Sequence, residues 1–146
     1  MGAFRGVEEQ AMAETAMDDA SAAVTGGVRT LLRLEGLALF AAMVLLYSHR
    51  GGPWWLFVVL FLAPDLSFTA YLAGARIGAL VYNAVHITIV PIALLADGFA
   101  FDAPLARSIA IIWLAHIGID RAAGYGLKYD TGFAFTHLGR IGKASG

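Results

Sequence analysis

Hydrophobic positions fall into four long runs, from about Thr30 to Tyr47, Trp54 to about Leu72, about Ile77 to Ala96, and about Leu105 to Ile119. None alternates with period two and all are long for a membrane strand, so each is a predicted helix. A helix crosses the hydrocarbon core of a bilayer in about 20 residues, with roughly 17 to 25 tolerated. The first three runs qualify directly, and the fourth qualifies by continuing through Asp120 and Arg121. Short connections at 49–53, 73–76 and 97–104 make successive helices antiparallel neighbours. The expected fold is all-α, a four-helix transmembrane bundle over residues 29–122. A flexible acidic tail, 1–28, precedes it, and an interfacial segment, 123–146, follows.

Composition agrees with a membrane location. Of 146 residues, 59% are hydrophobic and 14% charged, against about 25% charged in soluble domains, and the mean hydropathy is +0.71. A net charge of −1 gives no reason to expect a nucleic-acid partner. The absence of cysteine excludes disulfides, thiolate catalysis and thiolate-bound metals. The tail carries Glu8, Glu9, Glu14, Asp18 and Asp19, the wrong charge for a secretory leader, so no cleaved signal is expected. An even number of spans collects Arg5, Arg29, Arg33, Arg76, Arg121, Lys128, Arg140 and Lys143 on one side and leaves Arg50 and Arg107 on the other. The positive-inside rule then places both termini in the cytoplasm of a multi-pass cell-membrane protein.

Helical rise converts sequence position into depth. Glu35, Asp65, Asn83, His86 and His116 each fall roughly 7 to 14 Å inside the cytoplasmic boundary at about 1.5 Å per residue. Asp120 is the i+4 neighbour of His116, on the same face. Over the outer half the helices are nearly pure hydrocarbon, which reads as a packing region that includes Leu45 and Val59. A charged residue at a helix centre costs about 2.5–3.5 kcal/mol, so such groups face the bundle interior or water. Two readings fit this polar layer. It is a functional site, or a network that fixes helix register, with Arg33 or Arg121 pairing Glu35 or Asp120 near the interface. Pro64 and Pro91 deprive the carbonyls of Leu60 and Ile87 of their helical donors, which must be replaced. After the fourth helix, aromatic and basic residues interleave with glycines, as in a segment that folds back at the headgroup level to lid the polar layer or bind anionic lipid.

These residues also carry a resemblance. Leu34-Glu35-Gly36, Ala63-Pro64-Asp65-Leu66-Ser67, Tyr82-Asn83 with His86, Ala115-His116-Ile117-Gly118 with Asp120-Arg121, Gly124-Tyr125-Gly126-Leu127-Lys128-Tyr129 and Thr136-His137-Leu138-Gly139 resemble a family of small bacterial membrane proteins known as domain of unknown function 4260. The resemblance covers about Leu31 to Ile141. It implies a multi-pass integral membrane protein and no activity.

The function expected from the residues is a membrane-embedded acid–base enzyme, of isomerase, cyclase or hydrolase type, acting on a lipophilic small molecule from the cytoplasmic leaflet. Carboxyl groups in a low-dielectric site can stay protonated while a nearby imidazole takes the opposite proton state. Glu35 and Asp65 are the acid and base candidates, His86, His116 and Asp120 relay protons, and Asn83 orients substrate. Ser67, Tyr82, Arg121, Tyr125, Lys128, Tyr129 and His137 are candidates for substrate contact. Glu35, Asp65, His86, His116 and Asp120 are also ligand types for zinc or non-haem iron. The paired Glu-x-x-His spacing of di-iron bundles is missing and each helix supplies one histidine, so no metal is assigned and the cofactor is unknown. The rival functions are a proton- or ion-coupled transporter, for which four spans require a homo-oligomer, and an accessory subunit with a structural polar layer. No inverted repeat favours transport. Membrane lipid is the expected partner.

Overall fold

The computed structural model describes residues 2–142; Met1 and 143–146, Lys143 among them, lie outside the described part. The chain is largely helical. In order come α1 (Gly2–Ala22), α2 (Gly26–His49), α3 (Trp54–Leu62), a 3₁₀ segment (Ala63–Ala73), α4 (Ala75–His86), α5 (Ile89–Ala100) and α6 (Pro104–Ala123). A two-residue antiparallel ladder, β1 (Phe135–Thr136) with β2 (Gly139–Arg140), closes the C-terminal segment. Three stretches are long and apolar enough to cross a membrane: Gly26–His49, Trp54–Ala73 and Ala75–Ala100.

α6 is the axis of the molecule. Ala110, Ile111, Ile112, Leu114, Ala115, His116, Ile117 and Gly118 are all buried, as expected for a helix with neighbours on every side. α2, α3 and α5 pack on it, and α4 packs on the 3₁₀ segment. The α2–α6 crossing is close because glycines meet there. A methyl group on Gly36 would lie 2.8 Å from the Gly118 carbonyl oxygen, and one on Gly118 would lie 2.7 Å from the Phe40 amide nitrogen. Small residues at such crossings let two backbones approach where lipid supplies no hydrophobic drive.

Away from the chain termini, the core is built from Tyr47, Phe57, Ile111, Ile112 and Ala115. Tyr47 meets Trp54 and Phe57 edge-on, with centroids 5.6 and 5.1 Å apart, a favoured geometry for aromatic pairs. Leu45 and Val59 do not belong to it. Both are exposed, because on their helices they lie off the side that faces α6, and the expectation that they pack inside the bundle is corrected.

Both prolines act on their helices, in different ways. Pro64 has no amide hydrogen for the Leu60 carbonyl, and the amide of Ala63 donates there instead. That i+3 bond opens the 3₁₀ segment, whose eleven residues far exceed the usual three or four. Three residues per turn place Asp65, Phe68 and Tyr71 on one ridge. The third apolar run, expected as one helix, is broken. Ile87 is extended, with φ −78° and ψ 143°, and α5 restarts at Ile89 with Pro91 buried inside it. The break frees the Val85 carbonyl, which accepts a 2.7 Å hydrogen bond from Trp113 Nε1 on α6.

α6 ends at Gly124, whose φ of 98° is left-handed. The Gly124 amide donates to the Arg121 carbonyl and the Tyr125 amide to that of Asp120, the paired bonds of a Schellman cap. This turn sends residues 125–141 back across the end of the bundle. Residues 2–22, read as a flexible tail, are helical, and the side chains described there are exposed. The Val24 amide then donates to the His137 carbonyl at 2.9 Å.

Candidate functional site

Four side chains from two membrane stretches and α6 meet at one point. Asp65 comes from the 3₁₀ ridge, His86 from the last position of α4, and His116 and Asp120 from adjacent turns of α6. One donor atom from each lies within 4.8 Å of the others. His86 Nε2 is 3.2 Å from His116 Nε2 and 3.5 Å from Asp120 Oδ2. His116 Nε2 is 3.6 Å from both Asp120 Oδ2 and Asp65 Oδ1. Both histidines are buried, at 3% and 2% exposure, whereas the Asp65 side chain is 40% exposed. Asp65 is therefore the member that a ligand meets first.

Surrounding groups fix the orientation of the cluster. His86 Nδ1 lies 2.8 Å from the Tyr82 carbonyl oxygen, which can only accept, so Nδ1 carries the hydrogen and Nε2 turns a lone pair toward the other three residues. The Tyr82 ring stacks on His86 at 3.7 Å, and its hydroxyl donates to Asp120 Oδ2 at 3.2 Å. Phe68, one 3₁₀ turn beyond Asp65, stacks on the other side of the arrangement against Tyr82. His116 Nδ1 and Ser67 Oγ are buried with no hydrogen-bond partner among the described residues.

Two spaces flank the cluster. An apolar groove of about 270 Å³ is lined by Leu60, Ala63, Pro64, Val85, Ile109 and Trp113. Pro64 precedes Asp65, Val85 precedes His86, and Trp113 lies one turn before His116, so the groove is walled by chain neighbours of three cluster residues. Between α6 and the returning segment, His86, Asp120, Tyr125 and Leu127 border about 10 Å³, room for at most one water.

The other sequence candidates separate from this point. Glu35 is exposed and borders a different hollow with Gly36, Arg121, His137 and Leu138. Asn83 faces the returning segment, where Oδ1 accepts from the Lys128 amide at 2.7 Å and Nδ2 donates to the Lys128 carbonyl at 2.8 Å. Lys128 itself is buried. Its Nζ donates to the Phe133 carbonyl at 2.9 Å and lies 3.8 Å from the Phe133 ring centroid and 5.0 Å from that of Tyr82. Burial pulls the Lys128 ammonium down to about 8, with the Asp120 charge opposing in part. His137 Nδ1 accepts from the Leu127 amide at 2.9 Å, and burial, followed by the Arg121 charge, lowers its ordinary value. Tyr129 bonds Phe135 through its backbone, and Tyr125 is exposed. The aromatic enclosure of Lys128 was not anticipated. The only signal for it is the spacing of Tyr125, Lys128 and Phe133, which is common in headgroup-level segments.

Apolar helices of spanning length around a buried histidine–aspartate group define a helical membrane protein. More particularly, the chain belongs to the family described as domain of unknown function DUF4260, whose model matches residues 29–141. Among curated proteins and solved structures nothing matches it.

Proposed function

We propose that the protein is a membrane-embedded acid–base enzyme acting on a lipophilic molecule that enters sideways from the bilayer. One observation carries this reading: the 270 Å³ apolar groove is walled by Pro64 and Val85, the chain neighbours of Asp65 and His86, and by Trp113, one turn before His116. An acyl or prenyl chain fits the groove, and its reacting end then meets the exposed carboxylate of Asp65. Asp65 is assigned the proton transfer to substrate, and the buried His86, His116 and Asp120 hold and relay charge behind it. Glu35 leaves the acid–base set because it lies at another hollow, and Asn83 leaves the substrate-orienting role because its amide oxygen and nitrogen are both bonded to Lys128. The space beside His86 and Asp120, only about 10 Å³, supports a one-ended site over a transport path.

The membrane arrangement that goes with this reading has four spans. α6 has 20 residues and is about 30 Å long, enough to cross the core. Arg107, His116, Asp120 and Arg121 within it lower its mean hydropathy. Both termini then face the cytoplasm, and the cluster sits toward that leaflet.

The test is to purify the wild type, Asp65→Asn and Asp65→Asn/Ala63→Trp in detergent and identify co-purifying lipophilic molecules by mass spectrometry. A blocked active site retains substrate, so one lipid class should be enriched in Asp65→Asn and lost when the tryptophan fills the groove. Identical lipid profiles in all three folded proteins would overturn the proposal.

A further inference from the structure

We infer that His86, His116 and Asp120 bind a zinc ion, with Asp65 beside its fourth, more exposed position. The distances decide between two accounts of the cluster. As a hydrogen-bond network it is thin: only the 3.2 Å contact between the two imidazoles has hydrogen-bond length, while 3.5 and 3.6 Å exceed the roughly 2.7–3.2 Å of an N–H···O bond. As a coordination shell it fits. Zinc binds imidazole nitrogen and carboxylate oxygen at about 2.0–2.2 Å in a tetrahedron, whose edges are then roughly 3.3–3.6 Å. The triangle His86, His116, Asp120 has sides of 3.2, 3.5 and 3.6 Å, and the edge from His116 to Asp65 is 3.6 Å. An octahedral ion with the same bond lengths would need adjacent donors only about 2.8–3.1 Å apart.

The protonation pattern points the same way. The Tyr82 carbonyl fixes the His86 hydrogen on Nδ1, leaving an Nε2 lone pair facing another imidazole nitrogen and two carboxylate oxygens. Two buried imidazole nitrogens facing carboxylate oxygens, with little water between them, need either a shared proton or a cation between them. Metal-bound histidines ordinarily donate their other ring hydrogen to a carbonyl, and metal-bound carboxylates accept a further hydrogen bond. His86 and Asp120 have these partners in the Tyr82 carbonyl and hydroxyl. Two buried histidines and a partly buried Asp120, 18% exposed, with a fourth, more exposed position, make the pattern of a catalytic rather than a purely structural zinc site. There the ion acidifies a bound water or polarises a carbonyl.

Metal content is read without any substrate, so this inference stands or falls separately from the proposed enzyme activity. The protein is purified from cells grown with added zinc, and metal per chain is measured by elemental mass spectrometry. Cobalt is also loaded into metal-stripped wild type and its visible absorption recorded. About one zinc per chain is expected, with the intense cobalt bands of a tetrahedral site. Asp120→Asn and His86→Gln should each lower zinc affinity at least tenfold, while Asp65→Asn and the distant Glu35→Gln retain the ion. The cobalt spectrum of the wild type keeps the test valid where a variant does not fold. Wild type without zinc, iron in its place, or weak octahedral cobalt bands would overturn the assignment, as would folded His86→Gln protein with undiminished zinc affinity.

Discussion

Asn83 grips the backbone of Lys128 from both sides, accepting from its amide at 2.7 Å and donating to its carbonyl at 2.8 Å. A side-chain amide here does what a neighbouring strand would do, and it ties a helix of the bundle to a segment 45 residues later. Replacing Asn83 with leucine removes both bonds, each worth about 1 kcal/mol, and leaves two backbone groups unpaired. We expect a loss of about 2–4 kcal/mol and faster protease cleavage between 125 and 141. Unchanged cleavage would mean that other contacts hold the segment.

Gly118 leaves no space for a side chain. A methyl group there meets the backbone of α2, at the Phe40 amide and the Gly36 carbonyl oxygen 2.9 Å away, and backbone cannot rotate aside. Gly118→Ala should cost about 1–3 kcal/mol through forced separation of the helices, read as a lower unfolding temperature in detergent. Gly6→Ala, with nothing within 4 Å, serves as the control and should leave that temperature level or slightly higher.

Lys128 sets the sign of a pH effect. Its ammonium titrates near 8 in the folded protein against an ordinary 10.5, so between those values the unfolded chain binds more protons. Stability contributed by this group therefore rises with pH across that window, and below about 8 the cost of the buried charge is constant. The difference in unfolding temperature between wild type and Lys128→Met should grow in favour of wild type from pH 8 to 10. A flat or falling difference would show that the ammonium is better solvated than its surroundings suggest.

Tyr82 acts on the cluster through Asp120 and His86 without being a zinc donor. Tyr82→Phe keeps the ring on His86 and removes only the hydroxyl that bonds Asp120. Loss of such an outer partner typically weakens metal binding about 10–100-fold. Zinc competition titration should show that drop with unfolding temperature of the stripped protein little altered; equal affinities would confine Tyr82 to packing.

Reporter fusions test the four-span arrangement. Markers active only in the cytoplasm should work at both termini, and one joined after Arg50 should not. Termini on opposite sides of the membrane would remove α6 from the set of spans.

Much of this arrangement was legible in the sequence because helical rise is nearly constant. Counting residues from each boundary brings Asp65, His86 and His116 to one level, and that count needs no knowledge of packing. Glu35 passes the same count yet lies elsewhere, because depth carries no angular information: its neighbour Gly36 occupies the α6 contact and turns Glu35 away. Asn83 likewise shares the depth, but its partner is a segment whose path depends on the glycine turn at 124. The break at Ile87 and the length of the 3₁₀ segment come from tertiary packing. Pro91 and Pro64 announce that a donor is missing; the Leu60 carbonyl is met locally by the Ala63 amide, and the break at Ile87 frees the Val85 carbonyl for Trp113 on α6, a partner only the folded neighbours supply.

The 3₁₀ segment counts in threes. With three residues per turn, Asp65, Phe68 and Tyr71 stand in one column, the first at the cluster, the second against Tyr82, and the third against Phe133. Rewinding the eleven residues as α-helix would shorten the stretch by about 5–6 Å and fan the column out by about 60° at each step. Insertion or deletion of one or two residues between Asp65 and Tyr71 would therefore scramble the column, whereas a change of three would leave its phase intact and alter only its reach. The pitch of this one stretch is a ruler that keeps the carboxylate at the cluster in step with the aromatic wall beneath it.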